Sequence, residues 1–400
     1  MGFEARAIRE EEREECLALW CEVWPGEHSR AYFERYFYGD VEWLPYYTQV
    51  GVLDGKLVSA VHICKRTVAC GDFRLTMGGI ANVATLPEHR GHGYNTACLE
   101  RAIGVMEADA MDFSLLGTGI NGYYARLGFS TLPWPRLEGT VRPGFTPRPT
   151  AYMLRPATAD DLPAIREIYA AYNRQRPVAV QRTEAYWRDW IRFPDRMPKE
   201  TLWMALHGAD WAVGYVWYTW QGDHANFEEL AVSGPETWAE GEDPTVALLE
   251  AAAGDALRSG QPQLRAGIAF TPVAVAAFSR ILEKPEWRND THGMARLLHR
   301  ENLLKSVAIG LNDRWIAAGR PRGTLTFETP YGPIRLDAEG DFLQVETTPE
   351  GARALPQETL FGLLLGLLAP EQAMDDPALH PLLATLFPPG APVFWPADGF

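Results

Sequence analysis

From Gly79 the chain runs as an apolar stretch of strand length, Gly79-Ile80-Ala81-Asn82-Val83-Ala84-Thr85-Leu86, which Pro87 closes. A few residues later the apolar period becomes helical, with Leu99, Ala102, Ile103 and Met106 at i, i+3, i+4 and i+7. Between the two lies a basic, glycine-bearing loop, Glu88 to Asn95. The predicted order is strand, glycine loop, helix N-terminus. The first amides of a helix lack internal partners and its dipole favours negative charge there, so this order makes an anion site. Gly91 and Gly93 would let a phosphate approach the backbone, and Arg90 would add a charge-assisted contact. The bland alternative is a tight strand–helix turn. The spacing fits neither GxGxxG nor the phosphate loop ending in Lys-Ser/Thr.

Upstream, Arg6 to Trp43 reads as one or two helices rich in aromatics, from Trp20 to Tyr38. Two strands follow, Tyr46 to Leu53 and Lys56 to Arg66, turning at Asp54-Gly55, with a second turn at Gly71-Asp72. Downstream, Phe113 to Gly117 reads as a buried strand, and the proline-bearing segment Trp134 to Pro149 as a linker. A second cycle then begins: a strand from Tyr152, a capped helix from Asp160 to Asn173, strands at 202–206, 211–220 and 226–232, and a helix from Thr245 to Leu257. The loop before that last helix carries Glu236, Glu240, Glu242 and Asp243, which would repel a pyrophosphate. The end of the chain changes character. Three alternating segments, 323–328, 334–336 and 342–346, read as antiparallel strands, followed by a leucine-rich helix around 360–368. The reading is an α/β (α+β) protein of three domains, 1–149, 150–298 and 299–400.

Composition narrows the class. Among 400 residues, 14 Trp and 17 Phe supply packed cores and exclude a disordered chain. A net charge of −15 argues against a nucleic-acid partner and suits a cationic substrate. The N-terminal residues lack the apolar region of a signal peptide, and the longest apolar run, Leu360 to Ala369, is too short to span a bilayer, so no membrane partner and a cytoplasmic location are expected. Five cysteines, Cys16, Cys21, Cys64, Cys70 and Cys98, form no C-x-x-C and read as buried thiols. His89 and His92 have no further ligand at metal spacing, so no metal is expected.

Arg90-Gly91-His92-Gly93-Tyr94-Asn95 resembles the R-x-x-G-x-G/A segment that binds the coenzyme A pyrophosphate in the GCN5-related N-acetyltransferases (GNAT), with Asn95 in place of the last Gly or Ala. Asn121-Gly122-Tyr123-Tyr124-Ala125-Arg126-Leu127-Gly128-Phe129 is similar to that superfamily's second signature. Together they cover about the first third of the chain. The tandem cycle and the sterol-carrier-like end narrow the resemblance to the enhanced-intracellular-survival (Eis) acetyltransferases. The resemblance implies tandem GNAT-type mixed sheets, the second without coenzyme binding, and a sterol-carrier-like C-terminal domain. It also implies a homo-oligomer, often hexameric, acetyl-coenzyme A as acyl donor, and a primary amine as acceptor.

The expected reaction is direct attack through a tetrahedral intermediate, since neither signature holds a Cys or Ser nucleophile. Arg90, Gly91, His92, Gly93, Tyr94 and Asn95 would anchor the donor, with Val83, Ala84 and Thr85 lining its pantetheine arm. Asn121 would bond that arm, or serve only its turn. Tyr124 matches the family's thiolate-protonating Tyr; its alternative is a packed ring. The resemblance makes the Phe400 carboxylate, folded back into the first domain, the base. Asp398 competes with it. The Trp20 to Tyr38 rings would line an amine pocket or pack as core, and the leucine-rich helix a lipid tunnel or core. A non-catalytic acyl-coenzyme A or lipid-binding protein and a longer-chain acyltransferase are the rival functions.

Overall fold

Asp54 and Gly55 both take positive φ, 50° and 84°, the two-residue turn that matches strand twist. They join β2 (Thr48–Leu53) to β3 (Lys56–Cys70), and Gly71 at φ 65° turns β3 into β4 (Phe73–Thr85). In the computed structural model, residues 2–26, 30–192, 202–208, 211–347 and 354–400 are described. β1 (Phe3–Ala7) flanks β2, and β5 (Phe113–Gly117) pairs in parallel with β4. Helices α1 (Arg13–Val23) and α2 (Arg30–Tyr38) cover one face. Helix α3 (Tyr94–Ala108) covers the other, burying Cys98, Leu99, Ala102, Ile103 and Met106 on a helical period. The short α4 (Asn121–Ala125) and β6 (Ser130–Thr131) follow.

The proline-bearing stretch predicted as a linker holds β7 (Trp134–Thr140), and β7 belongs to the second sheet. That sheet continues with β8 (Tyr152–Pro156), β9 (Leu202–His207), β10 (Trp211–Gln221), β11 (His224–Val232), β12 (Gln263–Ala266) and β13 (Glu286–Asp290). Its order is β13-β7-β12-β11-β10-β9-β8. In return, β14 (Gly293–Leu297) inserts into the first sheet, whose order is β1-β2-β3-β4-β5-β14-β6. Each unit thus lends the other a strand. Pro135 pairs with Asn289 of β13 alone, since the pairing of β7 with β12 ends at Leu137. Helix α5 (Leu162–Asn173) is capped by Thr158 and Asp161, a reciprocal box that places the helix start as expected.

The third unit is β15 (Thr324–Phe327), β16 (Ile334–Asp337) and β17 (Gln344–Thr347), antiparallel in that order. The helices Arg300–Ala317, Gln357–Leu364 and His380–Leu386 pack with it. The 18-residue helix Arg300–Ala317 buries Leu303, Val307, Leu311 and Trp315 as one stripe, while exposed Ile309 and Ile316 blur that pattern in the sequence. Leu360 and Leu364 line a cavity of only ≈ 20 Å³, so at those positions the leucines pack as core. No helix among the described residues is long and apolar enough to cross a membrane.

Candidate active site

β4 bonds β5 only where Met77–Gly79 face Phe113–Leu115, although β4 runs on to Thr85. From Ile80 to Thr85, one edge of β4 has no strand beside it among the described residues. A bulge lies within this stretch. β4 advances from Ala81 to Ala84 while β3 moves only from His62 to Ala60, and Asn82 takes φ 49°. The Trp20 Nε1–H holds it by donating to the Asn82 carbonyl at 3.0 Å. Of the three predicted backbone residues, Val83 sits in the bulge. The Ala84 carbonyl accepts from Ser59 Oγ (2.8 Å) and Asn95 Nδ2 (3.2 Å), and the Thr85 carbonyl from Arg90 Nε (3.2 Å).

The glycine loop leads from this edge into α3. Gly91 and Gly93 have φ 82° and 80°, and Gly93 is the residue before the first helical turn. Space is open where a Cβ would sit at either glycine, and Arg90 and His92 are exposed. The loop is therefore open to solvent, in a backbone form that glycine adopts freely, where it enters the helix end whose first amides lack internal partners. Tyr94 is fixed by stacking on Phe3 at 4.2 Å and under the His92 ring at 5.5 Å. Asn95 bonds Ser59 Oγ and the Ala84 carbonyl through Nδ2, and its Oδ1 accepts from the Tyr123 hydroxyl at 3.1 Å. A small residue there could make none of these bonds, so Asn95 ties α3 to β3, β4 and α4. The matching end of the second unit differs. The helix Pro244–Arg258 is capped by Asp243, whose Oδ1 accepts from Thr245 N at 2.8 Å, and Pro244 contributes no amide. A cleft of ≈ 710 Å³ opens beside it, with Arg176 stacked on Tyr172 and the acids Glu236 and Asp243 in its wall.

The last residues of the chain cross both units. Val393 N donates to the Pro177 carbonyl at 3.0 Å, and Trp395 Nε1 to Asn173 Oδ1 at 3.1 Å. Asp398 is fully buried and accepts from Arg182 at 2.8 and 3.0 Å. The same guanidinium pairs with buried Glu229 at 2.5 Å, while Tyr169 bonds Asp398 and Tyr215 bonds Glu229. Burial pushes the Glu229 carboxyl up from the usual carboxylate range even with Arg182 opposing it. Asp398 is thus committed as an anchor. Arg35 Nη2 then holds the Gly399 carbonyl at 2.9 Å, and the Phe400 ring lies on Gly79, where any Cβ would overlap it. Gly79 is the last β4 residue paired to β5, so the chain end sits where the two strands part. We expect Arg182→Gln, which leaves two buried carboxylates without their cation, to cost about 3–5 kcal/mol in urea unfolding. An unchanged midpoint would mean that the anchor contributes nothing.

Tyr124 lies on α4 and is buried among Ile80, Leu99, Met106 and Phe129, the core on the α3 face. Burial pushes its phenol up, and its hydroxyl has no hydrogen-bond partner among the described residues. Phe400 packs with the core on the opposite face, so the two predicted residues occupy opposite sides of the first sheet. Asn121 Nδ2 donates to Thr131 Oγ1 and the Thr291 carbonyl, both at 2.8 Å, which serves the turn and the exchanged-strand region. Trp20, Phe33, Tyr36 and Phe37 are core, and the rings of Trp20, Tyr36 and Phe37 pack around buried His62. Burial, then nearby Arg66, lowers the His62 pKa to about 3. Asp40, His62 and Cys64 place ligand-type atoms within 4.8 Å of one another, but Arg66 Nη1 occupies both Asp40 oxygens, at 2.9 and 3.0 Å. A buried guanidinium there opposes a metal dication.

Residues 4–132 match the acetyltransferase (GNAT) domain family. The N-terminal unit is a GNAT acetyltransferase domain. Acyl transfer is the reaction class such a domain carries, and the open β4 edge, bulge and glycine loop all fall within it. A comparison with curated protein sequences finds no match. The whole fold is similar to that of a probable N-acyltransferase from Enterococcus faecalis V583, at 19% identity and TM-score 0.71, covering 100% of both chains. It is also similar to a GCN5-related N-acetyltransferase from Anabaena variabilis ATCC 29413, at 16% identity and TM-score 0.69, and to Eis1 from Mycobacterium abscessus, at 14% and 0.63, each covering 100% of both chains. The GNAT unit, its strand-exchanged companion and the C-terminal unit therefore form an arrangement shared with Eis1.

Proposed function

We propose that the chain is an acetyl-coenzyme A-dependent N-acetyltransferase that acetylates a primary amine directly, without a covalent enzyme species. The observation that carries this reading is the chain terminus seated on Gly79, where β4 leaves β5. The Phe400 ring lies at that point, and a carboxylate on the same residue, beside an edge able to pair with an extended donor, would suit deprotonation of an attacking amine.

The residues fit the donor. The amides opening α3, Gly91 and Gly93 would receive its pyrophosphate, with Arg90 and His92 beside them. The free edge from Ile80 to Thr85 would pair with its amide-bearing arm, and a peptide N–H of the bulge would polarise the acyl carbonyl. The donor supplies the activated acetyl group. Tyr124 would give its proton to the sulfur, and the Phe400 carboxylate would take the proton that the amine loses. Asp398, closed in its ion pair with Arg182, is the weaker base candidate. Asp243 and Pro244 at the matching helix support one donor site per chain, with the divisions 1–149, 150–298 and 299–400 as functional units. A homo-oligomer, a cytoplasmic location and a sterol-carrier-like last unit belong to the same reading. A pocket small enough for acetyl over longer acyl chains is part of it too.

The test is release of free thiol from acetyl-coenzyme A in the presence of amines, with donor binding measured by calorimetry. One site per chain is expected. Gly93→Val forces a β-branched residue to φ 80° beside the phosphate position, so donor affinity should fall about tenfold or more. Two sites per chain, or unchanged affinity in Gly93→Val, would overturn the reading.

A further inference from the structure

The two sheets enclose a cavity of ≈ 250 Å³ where they exchange strands, and the C-terminal segment closes it. Leu115 and Leu116 of β5, Trp134 of β7, Ile268, Val393 and Phe394 make its apolar wall, and Gly399 and Phe400 border it. It opens beside β5, next to the position where Phe400 meets Gly79. Apart from the chain terminus, two charged side chains reach its wall among the described residues, Arg136 and Asp290. They are paired with each other at 2.5 Å. Asp290 also accepts from His292 N at 2.9 Å and meets His292 Nδ1 at 2.5 Å. The acid of this pocket is already matched by the Arg136 cation and engaged in hydrogen bonds by His292.

From this we infer that the acceptor is a monoamine with a compact aromatic or alkyl body, taken up in this cavity with its amino group toward Phe400. The inference rests on the N-acetyltransferase reading and sharpens it. An apolar protein cavity of roughly 150 Å³ holds benzene. About 250 Å³ takes a ring with a short alkylamine arm. A polyamine or aminoglycoside would bring further ammonium groups against Leu115, Ile268 and Val393, with no unpaired carboxylate to receive them. Charge in the rest of the acidic chain can attract such cations but gives them no seat here.

The experiment compares phenethylamine, hexylamine, spermidine and kanamycin as acceptors for the full-length protein, read as thiol release. Phenethylamine and hexylamine should exceed spermidine and kanamycin in kcat/KM by roughly 10–100-fold. Trp134→Ala enlarges the wall, so 2-(naphthyl)ethylamine should gain on phenethylamine in that variant. A merely structural role for Trp134 would lower both alike. Preference of the parent for spermidine or kanamycin overturns the acceptor assignment and leaves acetyl transfer standing. No thiol release with any amine overturns acetyl transfer itself, and the acceptor assignment with it.

Discussion

A few residues appended after Phe400 are expected to reduce acetyl transfer by at least about 10²–10⁴-fold while acetyl-coenzyme A binds as in the parent. The extension turns the terminal carboxylate into a peptide group, which cannot accept a proton at neutral pH. It leaves Asp398 chemically intact, buried and paired with Arg182. It also leaves the glycine loop and the free edge of β4 untouched. The chain end has little room to adjust: the Gly399 carbonyl is held by Arg35, and the Phe400 ring fills the space above Gly79. Added residues must pass into the cavity or push the ring off its seat. Phe400→Ala offers a graded comparison, because it keeps a terminal carboxylate but loses the seat, so a smaller loss is expected. Thiol release and calorimetry on the same samples separate the two functions. Full activity in the extended protein would remove the terminal carboxylate from the reaction.

Local chemistry made part of this molecule legible in its sequence. Asp54-Gly55 can scarcely be anything but a tight turn, and the switch from the Gly79 run to the Leu99 period marks β4 and α3 by pattern alone. The second cycle is visible for the same reason, since Thr158 and Asp161 cap α5 within a few residues. What remained hidden depends on distant partners. β7 carries prolines and reads as a linker, yet it lies between β12 and β13 because each sheet completes itself with a strand of the other. Nothing local to Gly293–Leu297 says that it will pair with β5. The site divides in the same way. The loop from Arg90 to Asn95 is contiguous and shows its glycine-bearing strand-to-helix form, whereas the wall of the cavity comes from five separate segments. Asp398 competes with Phe400 in the sequence because nothing local shows that buried Arg182, 216 residues away, holds it. An arginine in mid-chain gives no hint of such a partner.

Tyr124→Phe should lower kcat by roughly 10²–10⁴-fold with donor affinity little changed, the signature of a lost proton donor rather than a lost binding contact. The two neighbouring tyrosines make the comparison sharp. The Tyr123 hydroxyl is engaged, donating to Asn95 Oδ1 at 3.1 Å and lying 3.2 Å from Thr96 Oγ1. The Tyr124 hydroxyl has no such partner among the described residues, although its ring is buried against Tyr123 and Phe129. Burial, with Tyr123 adding to it, raises the Tyr124 phenol above its ordinary value, so it stays protonated across the neutral range and can give a proton to a departing thiolate. Phenylalanine keeps the ring and its packing and deletes only the donor. Tyr123→Phe should instead loosen Asn95 and weaken donor binding, with a modest effect on kcat. The decisive readout is the split between kcat and donor affinity in the two variants, with thermal unfolding confirming that both fold. If Tyr124→Phe turns over at the parent's rate, the phenol is a packing group, and water reaching the gap between β4 and β5 must protonate the sulfur instead.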